Sequence, residues 1–484
     1  MKLNNLWIAG SFAALVACGG GGATTGGANV PKKPDGPVSS NGTPVSQETV
    51  NRFQVAIDAF AVHEKAADWN DAICKDVADK FNAGSEGGKI PEALFDAGLA
   101  WQRCGNDKEA KSHFEKALGA DAKFHPARVQ IALYQYKADQ NENAVIDTLR
   151  KTVLDAKFQN VPALVALAAF EMQRDADQED KEFNCKSDEE CAKLNLQRAL
   201  AIDDGFMPAS NQLALYYFQR AKKNAGATKS KGGRGRSIAT NAALGKRADV
   251  QQLELAGLVA SQAIRKNPSY APIHNTAGLI QNELGLVNGA VAEFKQAATL
   301  DPRLFEAQMN YAAVNLSFRG FDQAQGAYER ALKMRSGDYD AHLGLALALR
   351  GQITDVNYET QVAAVQAELD AAKKIDANRP DAFYNEGILT QEYKAKSGGD
   401  KNATVAKLKE AKAIFETFIQ KAAGKTEYDG AVKRSKERME DIDGTIAFLL
   451  ASNEPLPARM PNLDEIAPGL FAVANSQPMP LAAR

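Results

Sequence analysis

The chain has 484 residues, of which 45% are hydrophobic, 24% charged and 7% aromatic. That mixture excludes a wholly disordered chain and a polytopic membrane protein. With 58 Lys+Arg against 60 Asp+Glu, a net charge of −2, a generally basic nucleic-acid binder is excluded as well.

In chain order, residues 1–17 read as a signal peptide. Lys2 supplies the positive start, and the apolar stretch from Leu6 to Val16 is too short for a membrane span of about 20 residues. Leu15-Val16-Ala17-Cys18 resembles the bacterial lipobox, in which the Cys becomes the new N-terminus and carries acyl chains. The resemblance implies lipidation at Cys18, each buried CH₂ contributing about 0.8 kcal/mol to anchoring. Gly19 in place of Asp implies, by similarity to enterobacterial lipoproteins, an outer-membrane location with the body facing the periplasm. Residues 18–47, rich in Gly, Pro and Ser, form an expected tether spanning on the order of 30 Å.

The body, 48–425, carries a period. In a 34-residue frame starting at Ala271, Gly278 stands at position 8, Ala290 at 20, Phe294 at 24, Ala297 at 27 and Pro302 at 32. The same frame from Pro91 gives Gly98, Ala110, Phe114 and Ala117, and from Phe305 it gives Ala312, Ala324, Tyr328 and Ala331. This closely resembles the tetratricopeptide repeat (TPR). Small residues at 8 and 20 let the two helices of a repeat approach, the aromatic at 24 packs between helices, and Asp-Pro ends one repeat and opens the next. The expected fold is therefore all-α, a TPR solenoid wound as a right-handed superhelix. It comprises about nine helical pairs, with insertions near 175–189 and 222–247. A capping helix at 426–451 and a Pro-rich tail at 452–484 follow.

Five cysteines become four if Cys18 is lipidated. Four allow three connectivities. Cys185 and Cys191 share one polar insertion, and Cys74 and Cys104 fall on expected neighbouring antiparallel helices. The pairing favoured is therefore Cys74–Cys104 and Cys185–Cys191, as an oxidising compartment permits; unpaired buried thiols are the alternative. A metal site lacks support, since there is no C-x-x-C and no nearby His pair.

Catalytic motifs are missing. Gly424-Lys425-Thr426 resembles the end of a P-loop, but the earlier glycine is replaced by Ile419, and the five His are scattered. The reading is a non-enzyme without cofactor or small-molecule substrate.

TPR proteins bind partners along the first helix of each pair. Mapping the family's groove positions onto this chain gives Phe95, Leu99, Val129, Leu133, Tyr136, Met172, Leu215, Phe218, Leu279, Met309 and Leu316, with Tyr384 at the corresponding place in the last repeat. The set is apolar and lacks the Lys/Asn/Arg group of chaperone-binding relatives. It suits an amphipathic helix or an extended peptide, unless those side chains serve only to pack the inside of the stack. A second candidate surface is the basic insertion Lys222, Lys223, Lys229, Lys231, Arg234, Arg236, Lys246 and Arg247, which has no acid among them and suits an anionic lipid or acidic partner.

Tether, basic insertion and cysteine-bearing TPR body together resemble the TPR lipoprotein family of the myxobacterial adventurous-gliding machinery. The resemblance implies a passive scaffold linking outer-membrane barrels with periplasmic motility proteins. Two other readings stay open: a pilotin-like factor for secretin assembly, and a recruiter of peptidoglycan-active enzymes.

Overall fold

The computed structural model describes residues 37–66, 68–230, 238–396 and 400–451; from 224 to 249 it describes the backbone alone. Among the described residues there are nineteen α-helices and no strand beyond isolated bridges. Cα proximity divides the chain at 276/277 into two compact units.

The first unit holds α1 (Gln47–Ala66), α2 (Asp71–Ala83), α3 (Pro91–Arg103), α4 (Asp107–Ala120), α5 (His125–Asp139), α6 (Glu142–Asp155), α7 (Val161–Arg174), α8 (Asp188–Ile202), α9 (Met207–Ser230) and α10 (Ile238–Lys266). The boundary falls inside α11 (Ala271–Glu283). The second unit continues with α12 (Val287–Leu300), α13 (Phe305–Ser317), α14 (Phe321–Met334), α15 (Tyr339–Arg350), α16 (Tyr358–Ile375), α17 (Asp381–Leu389), α18 (Lys401–Ala422) and α19 (Asp429–Ala451). Helices α1–α18 form nine successive pairs and α19 stands last.

The repeat pattern explains the pairing. A Cβ built on Gly98 would lie 2.6 Å from the Phe114 ring, one on Gly278 2.6 Å from Phe294, and one on Gly387 2.6 Å from Phe415. Only glycine at position 8 lets the aromatic of the second helix reach the first helix's backbone. At Gly344 the ring comes instead from Tyr328 of the preceding pair. The core follows these contacts. In the first unit one cluster gathers about Phe53, Phe81 and Phe114, and another about Leu164, Phe170 and Leu196. In the second unit Tyr328 and Leu369 centre one cluster, Phe415 and Phe418 another. This is the TPR arrangement of helices.

Two boundaries differ from the sequence expectation. Residues 37–46 belong to the folded body rather than to the tether. Ser39 N donates to Thr43 O at 2.9 Å, and Val45 is buried. The Glu92 carboxylate accepts from Ser39 Oγ and Ser40 N, each at 2.7 Å. The second insertion is not a loop between two helices of ordinary length. Helix α9 runs through Lys222, Lys223 and Lys229 to Ser230, and α10 starts at Ile238 and carries Lys246 and Arg247. The added residues lengthen both helices.

Candidate protein-interaction surface

The helix faces that the sequence assigns to partner binding are largely filled. In the first unit Phe95, Leu99, Val129, Tyr136 and Phe218 are buried, as are Met309 and Leu316 in the second. Each has a packing role. Phe95 meets Phe114 and Phe124 with ring centroids 5.2 and 5.6 Å away. Tyr136 packs edge-on against Phe170 at 4.8 Å, and its hydroxyl accepts from Gln173 Nε2 at 2.9 Å. Met309 and Leu316 share the cluster of Tyr328. Leu133, Met172, Leu215 and Leu279 stay partly exposed. Of the two uses that the sequence left open, lining a groove or packing inside the stack, burial fits packing for seven of the eleven residues. Four remain reachable from solvent.

The cysteines sit in two separate places. Cys74 at the start of α2 is bonded to Cys104 at the end of α3, with Cα atoms 6.4 Å apart. Cys185 is bonded to Cys191, with Cα atoms 5.2 Å apart. The second bridge closes an insertion that is otherwise held by a buried side chain and by charge. Phe183 is fully buried, its ring 5.1 Å from Phe158 and 5.3 Å from the Arg150 guanidinium. Arg150 pairs with Asp180 at 2.7 Å. Asp188, itself buried, accepts two bonds from Arg174 at 2.7 and 2.6 Å and one from Ala176 N at 2.9 Å. Beneath it Glu171 is buried and accepts from Asn195 Nδ2 at 3.0 Å. Burial pushes the Glu171 carboxyl well above the usual carboxylate range. The polar composition of 175–189 hides this arrangement, but its one large apolar side chain, Phe183, is the signal that marks a docked insertion.

Of the basic set, Lys222 lies with its ammonium 5.5 Å from the Phe218 ring, and Lys223 pairs with Asp175 at 2.7 Å. Lys231, Arg234 and Arg236 lie outside the described residues, as do the side chains of Lys229, Lys246 and Arg247. Cys18 and the segments 1–36 and 452–484 lie outside as well. Among the described residues, no group of three or more His, Cys, Asp or Glu is placed to hold a metal, and no helix is long and apolar enough to cross a membrane.

Another exposed feature escaped the sequence reading. Leu286, Phe318 and Val356, each at the turn inside one of three consecutive pairs of the second unit, are 57%, 60% and 98% exposed. Turn positions have no fixed place in the repeat frame, so no periodicity marks them.

No protein-family model matches the chain, and no curated protein matches it. Solved structures do. MamA (residues 41 to the end) from Desulfovibrio magneticus RS-1 is 17% identical, with 40% of this chain and 99% of that one covered and a TM-score of 0.31. YrrB, described as a TPR protein with an unusual peptide-binding site, is 13% identical, with 50% and 98% covered and a TM-score of 0.31. A human IFIT1 dimer with m7Gppp-AAAA is 15% identical, with 77% and 78% covered and a TM-score of 0.43. These likenesses are to helical-repeat proteins; the fold assignment rests on the chain's own helix pairs.

Proposed function

We propose that the protein is a non-enzymatic scaffold of the bacterial cell envelope, anchored by acyl chains on Cys18 to the outer membrane with its helix pairs facing the periplasm. The observation that carries this reading is the cysteine arithmetic completed by the structure. Four cysteines are joined in two disulfides, and the one left over, Cys18, ends the segment that resembles a lipobox. Disulfides persist in oxidising compartments, and a lone cysteine at the end of a signal peptide has a use there. Stacked helix pairs offer an extended surface to other proteins. Gliding motility is the assembly we favour, on the resemblance of tether, basic insertion and TPR body to the gliding TPR lipoprotein family.

The test is crosslinking in cells followed by pull-down from detergent-solubilised envelopes. Outer-membrane barrels recovered with periplasmic motility proteins are the expected result. A secretin alone, or peptidoglycan hydrolases alone, would replace gliding with another envelope assembly. Cytoplasmic partners would sink the anchored reading, as would a Cys18→Ser protein that still fractionates with the outer membrane.

A further inference from the structure

Successive helices of the second unit alternate in direction, so the first helix of every pair ends at one edge of the stack. Leu286, Phe318 and Val356 stand at that edge, in the turns that follow α11, α13 and α15. Helix α19 ends there too. The Tyr428 hydroxyl, just before α19, donates to Asp381 at the start of α17 at 3.1 Å. Arg438 Nη1 donates to Gln391 Oε1, just past the end of α17, at 2.9 Å. Both contacts join residues 47 apart, so α19 runs parallel to α17. The last turn of α19 carries Phe448 and Leu450, 70% and 61% exposed. Among the described residues of the second unit, every exposed large apolar side chain except Ile375 lies along this edge.

Exposed apolar side chains gathered in one place mark an interaction surface, and the chain itself supplies an occupant. Helix α19 delivers the chain to this edge at Ala451, and residues 452–484 continue from there. Pro455, Pro457, Pro461 and Pro468 are incompatible with a helix interior. Between them Met460, Leu463 and Ile466 recur every third residue. A polyproline-type chain completes one turn in three residues and rises about 9 Å in doing so. First helices of successive pairs lie side by side, α13 with α15 and α15 with α17, at the usual interaxial distance of about 8–10 Å. One apolar side chain per turn of such a chain therefore meets one turn of the edge.

We propose that the tail segment following α19 lies extended along this edge, with Met460 at Val356 and Leu463 at Phe318. Reach permits it. From Ala451 to Met460 an extended chain covers about 28 Å, and α19 is separated from α15 by two helix spacings, about 16–20 Å. Charge agrees with the register, since Arg459 then stands by the exposed Asp355 and Asp464 by the exposed Arg319. Because the segment starts at the edge it covers, it competes there at an effective concentration on the order of millimolar. A second copy or a lipid surface must exceed that to take its place. The inference does not depend on where the protein is anchored or which assembly it serves.

The experiment uses the full chain carrying Cys18→Ser. Phe318→Cys combined with Leu463→Cys should form a disulfide within one chain at least fivefold faster than Phe318→Cys combined with Val473→Cys. Equal rates overturn the register, and crosslinks formed only between chains assign the edge to the tail of a second copy and overturn the proposal. A second measurement needs no added cysteine. Trypsin should cut after Arg459 at least fivefold faster in Leu463→Asp, and in Phe318→Asp combined with Val356→Asp, than in the parent chain. Leu463→Asp changes no residue of the helices, so a folding defect cannot account for its faster cleavage. Equal cleavage in parent and variants overturns the proposal. So does protection of Arg459 that appears only when phosphatidylethanolamine vesicles are added, which would give the edge to lipid.

Discussion

The two units share one architecture and are held together by different means. The first contains both disulfides, the buried Arg174–Asp188 pair and the docked Phe183 insertion. Side chains of Asn70, Asn106, Asn141, Asn160 and Ser187 cap its helices α2, α4, α6, α7 and α8. In the second unit Asp338 caps α15, whereas α12, α13, α14, α16, α17 and α18 begin without a side-chain cap. The small-residue and aromatic frame is therefore sufficient to stack helix pairs. What the first unit adds is two disulfides, and with them a dependence on redox state; ion pairs occur in both, Arg379–Asp340 at 2.6 Å among those of the second unit.

Removing the disulfides is the severest test of that contrast. The bridge at sequence separation 30 contributes about 3–4 kcal/mol by loop-closure entropy, and the one at separation 6 about 2 kcal/mol. Cys74→Ser with Cys104→Ser, and Cys185→Ser with Cys191→Ser, should each lower protection in the first unit. Hydrogen exchange read unit by unit should show the second unit unchanged. Equal loss of protection in both units would show that they unfold as one, and the comparison would break.

The second unit is open to attack through packing. Gly387→Leu puts a branched side chain where Cβ already lies 2.6 Å from the Phe415 ring. A loss of about 3 kcal/mol is expected, confined by hydrogen exchange to α15–α19. Gly430→Ala at the start of α19 meets nothing closer than 3.7 Å and serves as the control with little effect.

Glu171 sharpens the contrast through pH. Its folded-state pKa lies above the ordinary value. The stability it confers is therefore full below about pH 4.5 and is lost as pH rises through the folded value. As pH rises above about 4.5, protection in 171–191, corrected for the intrinsic exchange rate, should fall in the native chain. In Glu171→Gln that slope should flatten, with a gain of about 1 kcal/mol at the alkaline end. An unchanged slope would assign the pH response to another group.

Helices and their pairing were legible in the sequence because position 8 and position 24 report a single close contact, Gly98 with Phe114 or Gly387 with Phe415, that only those residue types satisfy. The cysteine pairs were legible for a similar reason, since adjacent helices bring Cys74 to Cys104. The binding face was not. Phe95, Tyr136 and Met309 have the same identity whether they line an open groove or seal it, and burial depends on how closely successive first helices approach.

The smallest expected effect is an exchange of caps between the units. Asn141 Oδ1 accepts from Ala144 N at 3.1 Å at the start of α6, so Asn141→Ala should cost about 1 kcal/mol. The corresponding residue before α12 is Leu286, whose φ of −85° and ψ of 63° approach the −82° and 79° of the capping Asn106. Leu286→Asp places an acceptor at a helix start whose backbone is already close to cap geometry. It also sets a carboxylate at the positive end of the helix dipole. A gain of about 0.5–1 kcal/mol is expected in the second unit, measured by urea denaturation. If Leu286→Asp instead destabilises the chain, then this 57% exposed leucine contributes through packing. The missing caps of the second unit would then reflect selection for apolar turn residues, not an absence of reinforcement.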